Sequence, residues 1–383
     1  MRRWLILLAI GYGTLHAETV LALPFFNHAA SSNLDWIGES IAETLRDVMT
    51  PEGVLVLDRQ DRLEAYRRLS LRSGAELTHA SIFKIGESLD ASLVIYGSYE
   101  MLSKGTLRIT ARILDLQRTT QGPEFNETGE LEDLATLEYR LGWQVLQQLH
   151  WKSAASVDEF LQARPPVRLD AVESYVRGLL SASPDQRHPF FTRAARLDGH
   201  YSQPCFQLGK IFWEKKDYKI AAGWLERVSR PDPHYLEAQF FLGLCRYNLA
   251  NFSGAEQCFE TVAAAVPLNE VYDDLGAAQS RLNQPEAALA SFRKALEGDT
   301  GDPDYHFNVG YCLWRSKQFD DAVESFRAVV ERNPADTEAT ALLGRALKKE
   351  GPRPGDPKSE ARERLKTNYE ETAFRQLQAE LGK

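Results

Sequence analysis

Two folding units of different kind are predicted for this chain: a small mixed α/β domain, then an all-α array of repeated helix pairs. Three observations carry that reading. Up to residue 150, short apolar runs alternate with helical stripes. Beyond residue 170, a glycine returns every 33 or 34 positions. Between the two lies Ala163-Arg164-Pro165-Pro166, where paired prolines stiffen the chain. The length agrees, since 383 residues hold two or three units at roughly 150 residues each.

Composition narrows the function classes. Hydrophobic residues make up 43% and charged residues 26%, as in globular proteins rather than disordered ones. The net charge is −9, which argues against a basic nucleic-acid footprint. Four cysteines in so long a chain cannot form a dense disulfide framework.

The first residues predict export. Arg2 and Arg3 precede an apolar run from Trp4 to Ile10, and a small residue, Ala17, stands at a plausible cut site. The run is well short of the ~20 residues that span a bilayer. Residues 1–17 are therefore expected to be a signal peptide cut after Ala17, with the mature chain periplasmic or secreted and without a transmembrane segment. An oxidising compartment would permit disulfides, and a Cys245–Cys258 bridge is one option beside four buried thiols.

Residues 18–150 follow in order. Val20 to Phe25 is a strand, ended by Pro24 and Asn27. Ser31, Ser32 and Asn33 offer helix caps before the stripe Leu34, Ile37, Ile41, Leu45 and Val48. Pro51 and Gly53 stop that helix, and Val54 to Leu57 is a second strand. Ile82, Ile85 and Leu89 mark another helix. Leu93 to Tyr96 reads as a buried central strand. From Leu107 to Ile113 apolar and polar residues alternate, and Pro123 to Glu130 offers a further strand. Leu134, Leu137, Leu141, Val145 and Leu149 form a closing helix. Strands alternating with helices imply a sheet covered by helices.

The run Leu21-Ala22-Leu23-Pro24-Phe25, then Leu34-Asp35-Trp36-Ile37-Gly38-Glu39 and Ile41-Ala42-Glu43, resembles the TolB N-terminal-like domain. Ile85-Gly86 with Leu89, Gly97-Ser98 and Leu107-Arg108-Ile109-Thr110 continue the resemblance in order. It covers roughly residues 19–150 and implies a small sheet with packed helices and no catalytic residues.

After the 151–169 linker, Gly209, Gly243, Gly276, Gly310 and Gly344 recur at steps of 34, 33, 34 and 34. Ala221, Ala255, Ala288 and Ala322 follow on the next helix, each trailed by Leu225, Phe259, Phe292 or Phe326. The glycine is expected to face the alanine, with the larger residue filling the groove to the neighbouring unit. Tyr175, Gly178, Phe191 and Ala194 mark a shortened first unit. Residues 170–350 resemble a tetratricopeptide solenoid of about five units. After the break Gly351-Pro352-Arg353-Pro354-Gly355, the positions Leu365, Tyr369, Ala373, Leu377 and Leu381 predict an amphipathic helix, read as a cap on the last repeat with a partner-binding helix as the alternative.

No phosphate-binding loop, dinucleotide fingerprint or HExxH is present, so neither catalytic residues nor a cofactor or metal is predicted. The eight histidines are scattered. The pairs Asp273-Asp274 and Asp320-Asp321 read as solvated helix faces. The tetratricopeptide resemblance implies a concave face lined by the first helix of each pair. Counting from the glycines, it selects Phe206, Lys210, Trp213, Phe240, Tyr247, Phe307, Tyr311 and Trp314. A small polar gap at Asp273, Ala277 and Ser280 separates two aromatic clusters, and Arg281, Arg315 and Lys348 fall near the same groove. Packing between repeats accounts for these aromatics as well as a ligand does. Trp213 and Trp314, at equivalent positions, are expected to face solvent. Lys210 stands where an asparagine would clamp a chaperone tail. The chain therefore reads as a non-enzymatic scaffold whose groove binds a protein or peptide, with the N-terminal domain docking a second partner. The alternative is a sensor or enzyme holding a small molecule near Asn27, His28, Asp58, Arg59 and Asp61 at the strand ends.

Overall fold

A computed structural model describes residues 19–29, 31–72, 74–103, 105–149, 156–353 and 362–381. The expected signal peptide, residues 1–17, lies outside the described residues. The N-terminal unit is a mixed sheet of β1 (Thr19–Ala22), β2 (Phe26–Asn27), β3 (Leu55–Val56), β4 (Leu93–Met101), β5 (Thr106–Asp115) and β6 (Thr120–Glu130). The order is β3-β1-β4-β5-β6, with β2 also on β4. The left half pairs in parallel and β4-β5-β6 is an antiparallel meander.

Helices cover both faces. The predicted stripe of α1 (Trp36–Met49) buries Ile37, Ile41, Leu45 and Val48. On the other face α2 (Arg59–Arg68) and α3 (His79–Ser88) set Ala65, Tyr66, Ile82 and Ile85 against Leu21, Leu23, Val94 and Leu114. The first face is completed by α4 (Leu134–Gln148), through Leu134, Leu137, Leu141 and Val145. The helix α2 has no counterpart among the predicted elements, because RQDRLEAYRR has almost no apolar stripe. Its start is fixed by Asp58, which caps the helix in a reciprocal pair with Asp61. Arg59 and the buried Arg62 both bond Glu39 of α1. These strand-end polar residues thus have structural partners.

Within the 151–169 span, α5 (Val157–Gln162) packs Phe160 under the Arg164 guanidinium, 3.8 Å from the ring centre. Helix pairs follow: α6 (Leu169–Leu180) with α7 (Pro184–Leu197), α8 (Gln203–Glu214) with α9 (Tyr218–Leu225), and α10 (Tyr235–Asn248) with α11 (Phe252–Ala265). Then come α12 (Asn269–Arg281) with α13 (Pro285–Gly298), α14 (Pro303–Arg315) with α15 (Phe319–Arg332), and α16 (Thr337–Leu347). One apolar core runs without a break from α1 and α4 through Val172, Tyr175 and Val176 of α6 into the array.

The repeat period has a physical cause different from the one expected. Above each glycine sits the large residue of the following helix, not the alanine. A Cβ on Gly243 would lie 2.7 Å from Phe259, on Gly276 2.7 Å from Phe292, and on Gly209 2.5 Å from Leu225. Gly178 stands in the same relation to Phe191, three residues nearer in sequence, which accounts for the shortened first unit. Gly344 has nothing within 4 Å of that position, because no helix pairs back onto α16 among the described residues. The helices α8, α10, α12 and α14 all end alike. Lys216, Ala250, Asn283 and Lys317 take φ near +60° (59°, 60°, 61° and 63°), and the next amide closes onto a carbonyl five residues back.

The last helix is shorter than its stripe predicts, and it packs on the N-terminal domain instead of capping the last repeat. The element α17 spans only Glu371–Leu381. Residues 362–370 carry no helix and lie across the first helices of the array. All four cysteines are buried and free. Among the described residues no helix is long and apolar enough to cross a membrane, and no cluster of three metal-ligating side chains occurs.

Candidate functional site

The concave face is built by α10, α12, α14 and the start of α16, and residues 362–370 fill it. Glu363 sits at one end with its carboxylate wholly out of solvent. Arg281 (2.7 Å) and Arg315 (3.3 Å) pair with it, and Ser280 Oγ (2.5 Å) and the Tyr247 hydroxyl (3.3 Å) donate to it. A buried carboxylate is tolerated only when its lone pairs are met in this way.

One residue on, Asn308 grips the main chain of Arg364 at both ends. Its Oδ1 accepts the Arg364 N–H and its Nδ2 donates to the Arg364 carbonyl, both at 2.8 Å. The Arg364 guanidinium lies 3.6 Å from the centre of the Phe307 ring and pairs with Asp304, Asp336 and Glu338. Lys366 lies on the same side and shares Asp304 (3.0 Å), pairing also with Asp302 (2.7 Å), while its N–H donates to Asp274 Oδ1 at 2.8 Å. Tyr369 then packs edge-on to Phe240 and donates to Glu237 Oε1 at 2.7 Å. The amides of residues 364 and 366 alternate as in an extended strand, each satisfied by a side chain of the array.

Electrostatics follow the burial. Asp273 and Asp274 are fully buried, contrary to the solvated faces expected for them, and burial pushes both carboxyls well above their usual range. Asp273 accepts from Asn308 Nδ2 and so holds that amide in the orientation that reads Arg364. Burial also works against ionisation of Glu237, but His234 at 2.5 Å outweighs it and holds the carboxyl down at about 2.

Beyond the groove the chain enters α17, which docks on the N-terminal domain. Phe374 is buried, and Arg375 reaches Asp61 (2.7 Å) and Asp58 (3.7 Å). A cavity of about 220 Å³ remains where α17, the N-terminal domain and the first helix pairs meet, and Phe206 and Lys210 line it.

The residues selected from the sequence divide accordingly. Phe240, Tyr247, Phe307 and Arg315 touch the 362–370 segment. Phe206 stacks on His234 at 4.5 Å, and the Lys210 ammonium lies 5.6 Å from the rings of Phe206 and Phe241. Trp213 is half-buried against Tyr218 and Phe241 rather than facing solvent. Trp314 is 0% exposed, donates to the Glu350 carbonyl at 2.8 Å and lies under Arg345. The following repeat covers it, so its solvent-facing assignment fails. Tyr311 is buried between Phe307 and Trp314. Lys348 is exposed. Asn308 and Glu237 were missed. Asn308 lies next to Phe307, a single helical step round the face that was selected, and that position was the available signal.

The sequence pattern of the tetratricopeptide repeat family matches residues 274–337 and 313–351. A curated relative, the tetratricopeptide repeat-containing protein trd-1 of Caenorhabditis elegans, is 24% identical over 196 residues. That match takes in 47% of this chain, and the chain spans only a quarter of that relative's length. Among solved structures, YrrB, described as a TPR protein with an unusual peptide-binding site, is 22% identical with a TM-score of 0.37, over 41% of this chain and 82% of its own. MamA of Desulfovibrio magneticus RS-1 is 25% identical with a TM-score of 0.38, over 42% and 92%. Residues 274–351 thus carry the tetratricopeptide repeat pattern, and the helix pairs at Gly209–Leu225 and Gly243–Phe259 before them repeat the same spacing of a glycine to a large apolar residue, with a mixed α/β domain in front of the array.

Proposed function

We propose that the chain is a non-enzymatic scaffold whose concave face binds an extended segment of a partner protein, with the N-terminal domain docking a second partner. One observation carries the reading: the groove holds residues 362–370 through the two-ended grip of Asn308 on the main chain and the burial of Glu363 between Arg281 and Arg315. Main-chain recognition plus charge-assisted bonds is how an extended peptide gains both affinity and register. The test is titration of a synthetic 362–381 peptide into a chain ended at residue 353, which keeps every helix of the array. One-to-one binding that Asn308→Ala weakens supports the groove. Failure to bind, with the shortened chain still folded, refutes it.

We also read the chain as exported, cut after Ala17 into the periplasm or beyond. The Arg2-Arg3 start, the short apolar run and the small residue at the cut support this. The N-terminal unit is proposed as a relative of the TolB N-terminal-like domain on its ordered short motifs. Sequencing the N-terminus of exported protein should return Glu18, and intact Met1 in the cytosol would overturn the localisation.

A further inference from the structure

We propose that residues 362–381 are a displaceable strap and that the partner's segment carries the same chemistry: a carboxylate, cations one and three residues later, and an aromatic ring six residues later. This rests on the groove reading above and adds the ligand class and the competition. The pattern is read directly from the positions that the groove holds. Glu363 meets two arginines, Arg364 and Lys366 meet the acidic rim of α14 and α16, and Tyr369 meets Phe240 and Glu237. The sign of the groove thus switches along its length, basic at the first position and acidic at the next ones. A uniformly acidic or uniformly basic peptide is refused at one end or the other.

Displaceability follows from how the strap is held. Between Glu363 and Tyr369 it contributes one apolar side chain, Leu365, to the core. The rest is charge pairs and amides bonded to side chains, and Thr367, Asn368 and Glu370 are exposed. Every bond it makes to the array can be made by another chain with the same side chains. Its second anchor, α17, lies on a different domain, where it buries Phe374 and Ala379 and pairs Arg375 with the partly exposed Asp58 and Asp61. Segments held by few buried apolar contacts open at lower free energy than the core around them. Tethered in cis, the strap competes at an effective concentration of about millimolar, so a peptide in trans is excluded from most molecules until the strap is loosened.

The experiment uses the full chain and a fluorescent peptide copying residues 362–370, with binding followed by anisotropy and strap protection by hydrogen exchange. Four proteins are compared: wild type, Glu363→Arg, which spoils the strap but not the groove, Arg375→Asp, which frees the far anchor, and Glu363→Arg with Asn308→Ala. The expected result is weak binding to wild type and at least tenfold tighter binding to both single variants. Binding should be lost in the double variant, and lost by a peptide with lysine at the glutamate position. Equal, tight binding to wild type and the single variants overturns the competition while leaving the groove reading intact. No binding to either single variant, with exchange showing the strap released and the array still protected, overturns the groove reading as well. A strap that stays protected in both single variants overturns its displaceability.

Discussion

Replacing Glu363 by alanine perturbs the point on which the strap turns. The side chain is fully out of solvent, and four groups from α10, α12 and α14 converge on its carboxylate. Removing one partner of a buried ion pair costs about 3–5 kcal/mol when the other is left dry. Here the arginines are 27% and 34% exposed and can recover water, so the cost falls below that range, to about 2–3 kcal/mol. At 1.4 kcal/mol per factor of ten, the strap should open about 30- to 150-fold more often. The assay is native-state hydrogen exchange at the amides of Arg364, Lys366 and Glu370, which bond Asn308, Asp274 and Glu270. Their exchange should accelerate by that factor while the Ala255 amide, inside α11, keeps its rate. Strap amides whose protection changes by less than about twofold would show that Glu363 does not anchor the segment.

Gly243→Ala drives a methyl into Phe259 and should cost about 1–3 kcal/mol in a denaturant titration, whereas Gly344→Ala meets no neighbour and should be neutral or stabilising. Ala250→Gly relieves a left-handed residue and should add about 0.5–1 kcal/mol after the greater freedom of glycine in the unfolded chain is set against it. Trp314→Ala should cost about 3–5 kcal/mol in thermal or chemical unfolding, because the ring is core. Burial raises the Glu138 carboxyl to about 7, against an ordinary 4.5. Between those values the folded chain holds a proton that the unfolded chain has released, so stability should fall by about 3 kcal/mol as pH rises through the window. Glu138→Gln should flatten that slope.

Where one physical requirement acted on one element, the sequence was readable. The α1 stripe, the β4 run and the alternation in β5 each follow from burying one or both faces of a regular element. The glycine period was readable as a period, but the contact behind it was not. Close approach demands a small residue, and it does not say which neighbour fills the space. Trp314 misled for a related reason. Spacing from Gly310 places it on one face of α14, while its burial is decided by Arg345 and the chain at Glu350, which belong to the next unit. Asp273 and Asp274 looked solvated because adjacent helix positions face different ways. In fact one side is taken by Asn308 and the other by the strap amide of Lys366.

The strap itself was hidden by arithmetic. Apolar residues four apart share a face on a helix of 3.6 residues per turn. They also share a face on an extended chain, because four is a multiple of two. Leu365, Tyr369, Ala373, Leu377 and Leu381 therefore satisfied both descriptions, and the chain uses both. It is extended through Tyr369 and helical from Glu371. The residues between decide where the change falls. Thr367 and Asn368 are poor helix formers, and the Glu370 carboxylate accepts the Thr372 amide at the helix start. Charge order carried the remaining information. In the extended segment Arg364 and Lys366 lie two apart, on one side, where both reach Asp304, and Glu363 turns to Arg281 and Arg315. On a helix, residues two apart do not face one another, so that shared carboxylate would be out of reach for one of the two cations. The groove selects the extended form because only it presents both cations to the acidic rim while leaving the backbone open to Asn308.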